Sequence, residues 1–146
     1  MKNIRSSLIE DIPALVEMSV KIWNEKPEDK KAYFLKTHKR GELFVHSENG
    51  MIKGYITCLI NYWGDCNFID EIGVLEEFRR EGIASGLIQH AIKISASQNK
   101  RRIFSSFNAE NISSFQLHLK NNFKVAGQIN NMFVEDKSEI IVSIKL

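Results

Sequence analysis

Two arginines and a glycine stand where a predicted strand gives way to a predicted helix, a combination suited to binding an anion. Residues 71–86 read EIGVLEEFRREGIASG. Apolar residues recur at three- and four-residue spacing from Ile83 onwards, which predicts an amphipathic helix. The first backbone N–H groups of a helix have no partner within it and carry partial positive charge. Because Gly82 leaves the backbone accessible and Arg79 and Arg80 add positive charge, the turn is predicted to bind a pyrophosphate.

The pattern around this turn narrows the choice of pyrophosphate. It contains neither a Gly-x-x-x-x-Gly-Lys-Ser/Thr loop nor the three-glycine dinucleotide fingerprint. It does contain Arg79-x-x-Gly82-x-Ala84, which resembles the acyl-coenzyme A signature Gln/Arg-x-x-Gly-x-Gly/Ala of the GNAT N-acetyltransferase superfamily. Residues 111–123, NISSFQLHLKNNF, resemble the second signature of that superfamily, Asn-x-x-Ala/Ser-x-x-Leu-Tyr/His-x-Lys-x-Gly-Phe. Two matches in the correct order indicate a member of the superfamily.

The second segment departs from the superfamily's pattern at two positions. Asn122 stands where Gly is usual, and Asn tolerates the left-handed conformation that ends a helix, so the helix should still stop there. His118 stands where many members carry Tyr, the residue that protonates the departing thiolate. His118 is therefore the candidate acid, with structural packing on the helix face it shares with Ser114 and Leu117 as the alternative. His at this position also resembles acetyltransferases that act on small amines.

The elements that must position these residues follow from the periodicities along the chain. Helical and alternating patterns predict the order β-α-α-β-β-β-α-β-α-β-β, with a two-residue hairpin turn at Asn49-Gly50. The resemblance implies one α/β (α+β) domain over residues 1–146, with a mixed, mostly antiparallel, seven-stranded sheet and helices on both faces. It also implies that strands 67–75 and 102–107 are parallel and splay apart around the pantetheine arm of acetyl-CoA.

Two consecutive carboxylates, Asp70 and Glu71, lie in an otherwise apolar strand and are candidates for the base that deprotonates an amine. Because consecutive strand residues point to opposite faces, at most one should face the substrate. Alternatively, one anchors a loop or pairs with Arg79 or Arg80 while the other is solvated. Enzymes resembling the ribosomal-protein acetylases place a base Glu on the following strand, at the position that Ser106 occupies here.

The residues assigned to acetyl-CoA lie at the end of strand 67–75, in the phosphate turn (residues 79–82) with the first turn of the helix after it, and at the start of the second signature. Backbone N–H groups of the strand end are expected to hold the pantetheine and to polarise the thioester carbonyl, with Gly73 as the expected site of a β-bulge. Asn111 should hydrogen-bond the pantetheine, cap its helix, or do both. The assigned residues are Ile72, Gly73, Val74, Arg79, Arg80, Glu81, Gly82, Ile83, Ala84, Ser85 and Asn111.

Composition limits the classes of partner. The chain has 146 residues, 43% of them hydrophobic, and a net charge of +2 from 20 cations and 18 anions, so nucleic acid is not an expected partner. Cys58 and Cys66 follow no disulfide or metal pattern, so no metal is expected and both thiols should be free in a cytoplasmic protein. No apolar run approaches 18 residues, so no membrane partner is expected.

The predicted function is acetyl transfer from acetyl-CoA to a primary amine by direct attack in a ternary complex. A small-molecule amine is the expected acceptor, with walls from residues 22–36 (including Trp23, Asn24 and Tyr33), from Tyr62 and Trp63, and from residues 130–133. Two alternatives are a protein Lys or N-terminal amine as acceptor, and a non-catalytic module that senses acetyl-CoA. A homodimer that pairs through the last strand is also open.

Overall fold

The computed structural model describes residues 3–146, and this part of the chain forms seven strands and four α-helices. Short 3-10 turns at Ile9–Asp11 and Glu76–Phe78 lead towards the first and third helices. The elements follow the predicted order: β1 (Ile4–Ser6), α1 (Ile12–Trp23), α2 (Pro27–Lys39), β2 (Leu43–Glu48), β3 (Met51–Trp63), β4 (Cys66–Val74), α3 (Ile83–Ser97), β5 (Arg102–Asn108), α4 (Ile112–Lys120), β6 (Lys124–Asn130) and β7 (Ser138–Lys145).

The strands form one mixed sheet in the order β1-β2-β3-β4-β5-β7-β6. Every neighbouring pair is antiparallel except β4 and β5, which are parallel. Residues 67–69 of β4 pair with residues 103–105 of β5, and beyond them the two strands continue to Val74 and Asn108 without pairing with each other. The predicted splay is confirmed, and it opens a cleft in the middle of the sheet.

Helices cover both faces of the sheet, as predicted, and each face has its own core. Apolar residues of α3 and α4 pack on one face together with Ile56, Ile69 and Val142. Helices α1 and α2 pack on the other face, where Leu15 and Phe34 are fully buried. The cleft between β4 and β5 therefore lies between two rigid layers.

Local turn chemistry agrees with the sequence at two places. Asn49 and Gly50 both have positive φ, 52° and 77°, and form the two-residue turn that pairs Glu48 with Met51. Asn122 has φ of 67°, and the N–H of Phe123 donates to the carbonyl of His118 at 3.0 Å, so α4 ends where the second signature predicts.

Two expectations about the strands are wrong. The last strand, β7, lies inside the sheet between β5 and β6, so it has no free edge with which to pair a second copy. The bulge in β4 lies at Asp70 and not at Gly73, because Thr57 pairs with Glu71 whereas the next residue of β3, Cys58, pairs with Ile69. Within residues 3–146, no helix is long and apolar enough to span a membrane.

Candidate active site

A cavity of about 740 Å³ occupies the gap where β4 and β5 diverge. Arg79, Ala84 and His118 line it on the side of α3 and α4. Trp23 and Glu25, in and after the last turn of α1, line it on the side of α1 and α2. The cavity therefore connects the two faces of the sheet, which allows two molecules to meet inside it from opposite sides.

The turn before α3 has the geometry of an anion site. Gly82 is the N-cap of the helix, with φ of 80°, a conformation that favours glycine, and a Cβ added there would meet no atom within 4 Å. The first N–H to find a helical acceptor is that of Gly86, which donates to the carbonyl of Gly82 at 3.0 Å. The three preceding N–H groups at the helix start are left to a ligand. Arg79, anchored by its Nε to the carbonyl of Val74 at 3.2 Å, adds positive charge, and these groups fit a pyrophosphate.

The residues predicted to bind the cofactor fall into two groups in the structure. Ile72, Val74, Arg79, Ala84 and Asn111 line the cavity. The others do not: Ile83 is 4% exposed in the core, Gly73 is held against the Tyr55 ring, and Arg80, Glu81, Gly82 and Ser85 belong to the turn and the first residues of α3 beside the cavity.

Close packing against a tyrosine explains why position 73 is a glycine. A Cβ at this position would lie 2.4 Å from a carbon of the Tyr55 ring, closer than any side chain allows. Tyr55 is fully buried, and its hydroxyl reaches the carboxylate of Glu71 at 2.9 Å. Glycine at 73 therefore leaves room for the tyrosine that holds one of the candidate bases.

The bulge at Asp70 turns both consecutive carboxylates towards α2. Asp70 accepts a hydrogen bond from the Tyr33 hydroxyl at 2.6 Å, and Glu71 accepts one from the ammonium of Lys30, one turn earlier on the same helix. Both carboxylates line the cavity. The expectation that at most one faces the substrate is therefore wrong, because the extra residue of a bulge interrupts the alternation of the strand.

The side chains around these carboxylates form a connected polar network. Thr57 Oγ1 lies 2.8 Å from the Tyr33 hydroxyl and accepts the backbone N–H of Glu71 at 3.0 Å. Burial is the main cause that raises the pKa of both Tyr33 and Tyr55, so both phenols stay protonated and act as donors to the carboxylates. Within residues 3–146, Glu71 pairs with Lys30 and neither carboxylate pairs with Arg79 or Arg80.

Lys30 is an unusual lysine because its side chain is only 3% exposed. Its Nζ lies 3.2 Å from a carboxylate oxygen of Glu25, in addition to its contact with Glu71. It also lies over the rings of Tyr33 and Phe34, at 5.0 and 5.7 Å from their centroids. Lys30 thus links the loop after α1 to the bulged strand.

His118 is 2% exposed and stacks on Phe107, with ring centroids 5.0 Å apart. Its Nδ1 lies 2.7 Å from the carbonyl of Ser114, and because a carbonyl only accepts, Nδ1 carries the hydrogen. Its Nε2 is buried and has no partner within residues 3–146. Burial lowers the pKa of His118, so the neutral ring is favoured, and in that form Nε2 presents a lone pair and no proton.

Asn111 caps α4, since its Oδ1 accepts the backbone N–H of Ser114 at 3.1 Å. The side chain also lines the cavity, so capping by Oδ1 leaves the amide N–H₂ to a ligand. The two predicted roles are compatible in this geometry.

The predicted walls for the acceptor are partly wrong. Trp23 lines the cavity as expected, whereas Tyr62 and Trp63 lie at the opposite end of β4, where Trp63 pairs with Cys66. There Tyr62 stacks on Phe68 with ring centroids 4.7 Å apart, and Trp63 packs edge to face against Phe104 at 5.0 Å. Three further predicted features, Asn24, Tyr33 and residues 130–133, do not line the cavity, although Tyr33 reaches it through Asp70.

The fold brings three charged residues to the cavity or to its carboxylates: Glu25 and Lys30 lie within the predicted wall of residues 22–36 but had no predicted role, and Glu139 was not predicted at all. A charged residue inside an otherwise apolar strand, the pattern that drew attention to Asp70 and Glu71, also marks Glu139 in β7. Among residues 3–146 there is no group of three metal-ligating side chains. Burial raises the pKa of the Cys58 thiol to about 12, and Cys58 does not line the cavity.

A cleft between splayed parallel strands, with a phosphate-compatible helix start on one face and carboxylates on the other, defines the class of acyl-coenzyme A-dependent transferases. Residues 7–123 match the family model described as "Acetyltransferase (GNAT) family". The protein therefore belongs to the GNAT acetyltransferase family, and it is an N-acetyltransferase by fold and relatives.

Three relatives illustrate the similarity. An N-alpha-acetyltransferase of Sulfolobus acidocaldarius is 23% identical, over 99% of this chain and 92% of the relative. The crystal structure of a GNAT-family acetyltransferase from Bacillus cereus superposes with a TM-score of 0.87 at 26% identity, covering 98% of this chain and 96% of the other. An acetyltransferase from Salmonella typhimurium, solved with its cofactor acetyl-CoA, superposes with a TM-score of 0.81 at 17% identity, covering 98% and 92%.

Proposed function

We propose that the protein transfers the acetyl group of acetyl-CoA directly to the primary amine of a cationic acceptor, and that this amine is the N-terminal α-amine of a polypeptide. The observation that carries the proposal is the continuous cavity, which has a phosphate-compatible turn on one face of the sheet and four carboxylates, Glu25, Asp70, Glu71 and Glu139, in its lining. The Sulfolobus relative, which matches almost end to end, favours a polypeptide amine as the acceptor.

On the cofactor side, the chain supplies fixed donors. The free N–H groups at the start of α3 and the guanidinium of Arg79 would hold the pyrophosphate. Beyond Ile69, β4 has no partner on its β5 side, so alternate backbone groups of β4 face the cavity and are available to the pantetheine and the thioester carbonyl. Asn111 would add its amide N–H₂ from the start of α4.

On the acceptor side, the carboxylates favour a positively charged group. An α-ammonium has a pKa of about 8, so it arrives largely protonated near neutral pH and must lose a proton before it attacks. Trp23, which lines the cavity beside Glu25, is 43% exposed, so the rim of the cavity is open to solvent at this point. An acceptor that extends out of the cavity requires such an opening.

A small cationic amine is the second candidate acceptor. A cavity of about 740 Å³ lies within the range of small-molecule sites, and its acidic lining suits an amine that is enclosed entirely. This candidate predicts that the rate saturates with increasing concentration of a free polyamine or amino sugar. The first candidate predicts that the rate saturates with short peptides that have a free N-terminus and does not saturate with free amines.

The test is release of thiol from acetyl-CoA with a panel of peptides that differ in their first residues, beside polyamines, amino sugars and free amino acids. Each active peptide is compared with the same peptide carrying a blocked N-terminus, and the product is located by mass spectrometry. Acetylation of the α-amine supports the proposal, and turnover of small amines alone replaces it with the second candidate. Tight binding of acetyl-CoA without turnover of any acceptor would favour a sensor of acetyl-CoA.

A further inference from the structure

The four carboxylates of the cavity differ in how far they are already engaged. Glu71 accepts from Lys30 with one oxygen and from Tyr55 with the other. Asp70 accepts a short hydrogen bond from Tyr33, and Glu25 pairs with Lys30. A carboxylate oxygen that already accepts a hydrogen bond from a cation or a phenol has fewer lone pairs left to contact an acceptor amine.

Glu139 is different. Within residues 3–146 no lysine, arginine or histidine forms an ion pair with it. It is half-buried and lines the cavity from β7, the strand on the far side of β5. Of the four carboxylates, Asp70 and Glu139 therefore have no cationic partner within these residues, and Glu139 also accepts no hydrogen bond from a phenol.

The pairing of β5 with β7 places Glu139 beside Ser106. Asn108 lies opposite Glu139 and Ser106 lies opposite Ile141, so Ser106 and Glu139 are diagonal neighbours on one face of the sheet. The Ser106 hydroxyl approaches the Glu139 carboxyl, and both residues line the cavity.

We propose that Glu139 is the general base of the reaction, supplied to the cavity from β7, and that Ser106 on the neighbouring strand β5 positions it by hydrogen bonding. This inference rests on the proposed acetyl transfer and adds the residue that takes the proton. It assigns Asp70 and Glu71 to the polar network that shapes the acceptor side.

The proton balance of the step is simple. The carboxylate of Glu139 takes one proton from the acceptor ammonium, and the nitrogen lone pair so freed attacks the carbonyl carbon of the thioester. The carbon–nitrogen bond forms, the carbon–sulfur bond breaks, and the sulfur leaves with the bonding electrons. Of the two protons that the nitrogen loses, one ends on the thiol and the other leaves to solvent from Glu139.

The environment of Glu139 suits this task. Burial raises the pKa of Glu139, and the Ser106 hydroxyl opposes that rise in part. A base whose pKa is raised towards the working pH binds the proton of the acceptor more strongly. Ser106 therefore sets the balance between basicity and ionisation.

The test compares the pH dependence of kcat/KM for the wild type, Glu139→Gln, Ser106→Ala and the control Glu135→Gln, which removes an exposed charge in the turn between β6 and β7. Glu139→Gln should lower kcat by about 10²-fold or more with a nearly unchanged acceptor KM. Its rate should then rise with pH up to the pKa of the acceptor amine, because only free amine reacts. Ser106→Ala should shift the acidic limb to higher pH, and Glu135→Gln should behave as the wild type.

Several results would overturn the assignment. Wild-type rate and pH profile in Glu139→Gln would remove Glu139 from the mechanism, and a raised acceptor KM with unchanged kcat would make it a binding residue. Acetyl-CoA affinity measured by calorimetry must equal that of the wild type, which excludes misfolding as the cause of a low rate. If the wild type binds acetyl-CoA but acetylates no acceptor, the proposed function itself fails, and this inference fails with it.

Discussion

The ammonium of Lys30 and the carboxylate of Glu71 form an ion pair beside the cavity, between residues 41 positions apart in the chain. The lysine side chain is 3% exposed and that of Glu71 is 21% exposed, so the pair lies largely out of water. Glu25 provides a second carboxylate to the same ammonium from the loop after α1. The pair therefore ties the position of the bulged strand to that of the acceptor-side loop.

Replacement of Lys30 should be strongly destabilising. Lys30→Met leaves two carboxylates without their cation, and the free energy of unfolding should fall by about 2–4 kcal/mol, below the range for fully buried pairs because Glu71 is partly exposed. The control is Lys21→Met, whose ammonium lies 3.4 Å from Glu17 on an exposed helix face and should matter by less than about 0.5 kcal/mol.

Urea unfolding measures the stability of Lys30→Met and of the control Lys21→Met. The double variant Lys30→Met/Glu71→Leu removes both charges, so it should recover part of the loss. Equal stability of Lys30→Met and Lys21→Met would mean that the pair adds nothing to the fold.

The phosphate turn before α3 predicts a specific defect. Gly82→Val forces a branched residue to φ of 80° and places its side chain where the pyrophosphate would lie, so affinity for acetyl-CoA should fall by about tenfold or more. Gly41→Val is a matched control, because Gly41 also has positive φ, 69°, with no atom within 4 Å of an added Cβ, and it belongs to the turn between α2 and β2 and not to the turn before α3. Both variants should lose similar stability, but only Gly82→Val should lose affinity in calorimetry.

The part of the site that the sequence predicted is local. The turn before α3 and the cap of α4 each depend on residues within a span of six along the chain, as in Arg79 to Ala84 and in Asn111 to Ser114. The end of α4 at Asn122 depends equally on a single backbone conformation. The motifs that carry these features therefore specify them without knowledge of the rest of the fold.

The part that the sequence did not predict depends on contacts between distant segments. The bulge at Asp70 arises from the register between β3 and β4, and it changes which way two carboxylates point. Glu139 reaches Ser106 because β7 inserts between β5 and β6, an order that periodicity does not contain. Tyr62 and Trp63 were misplaced for the same reason, since aromatic character alone does not tell which end of a strand faces the cleft.

The buried ring of His118 predicts a pH dependence of stability. Burial lowers the pKa of His118 in the folded state below the ordinary value of about 6.5. Below that pH the unfolded chain binds more protons than the folded chain. The contribution of the neutral ring to stability is therefore complete above about pH 6.5 and is lost as the pH falls. The free energy of unfolding of His118→Phe should therefore fall less steeply than that of the wild type between about pH 6.5 and 5. Burial lowers the pKa of His46 and His90 as well, so part of the slope should remain.

Unfolding by urea at several pH values measures this slope in the wild type and in His118→Phe, and identical slopes would contradict the burial argument.

The same variant, His118→Phe, tests whether His118 is the acid that protonates the thiolate. A neutral ring whose Nδ1 hydrogen is held by Ser114 has no proton on Nε2, so we expect turnover to fall by less than about tenfold. A loss of about 10²-fold with normal acetyl-CoA affinity would instead identify His118 as the proton donor.

The loop after α1 should select for positive charge in the acceptor. Glu25 is half exposed at the cavity, so Glu25→Gln should raise the KM for a cationic acceptor several-fold and leave kcat nearly unchanged, because it removes attraction present equally in the ground and transition states. The difference from the wild type should shrink at high salt, since exposed charges are screened. Glu28→Gln makes the same change in net charge at an exposed position of α2 outside the cavity lining and should leave KM unchanged. Equal shifts in both variants would mean that overall charge, and not Glu25, attracts the acceptor.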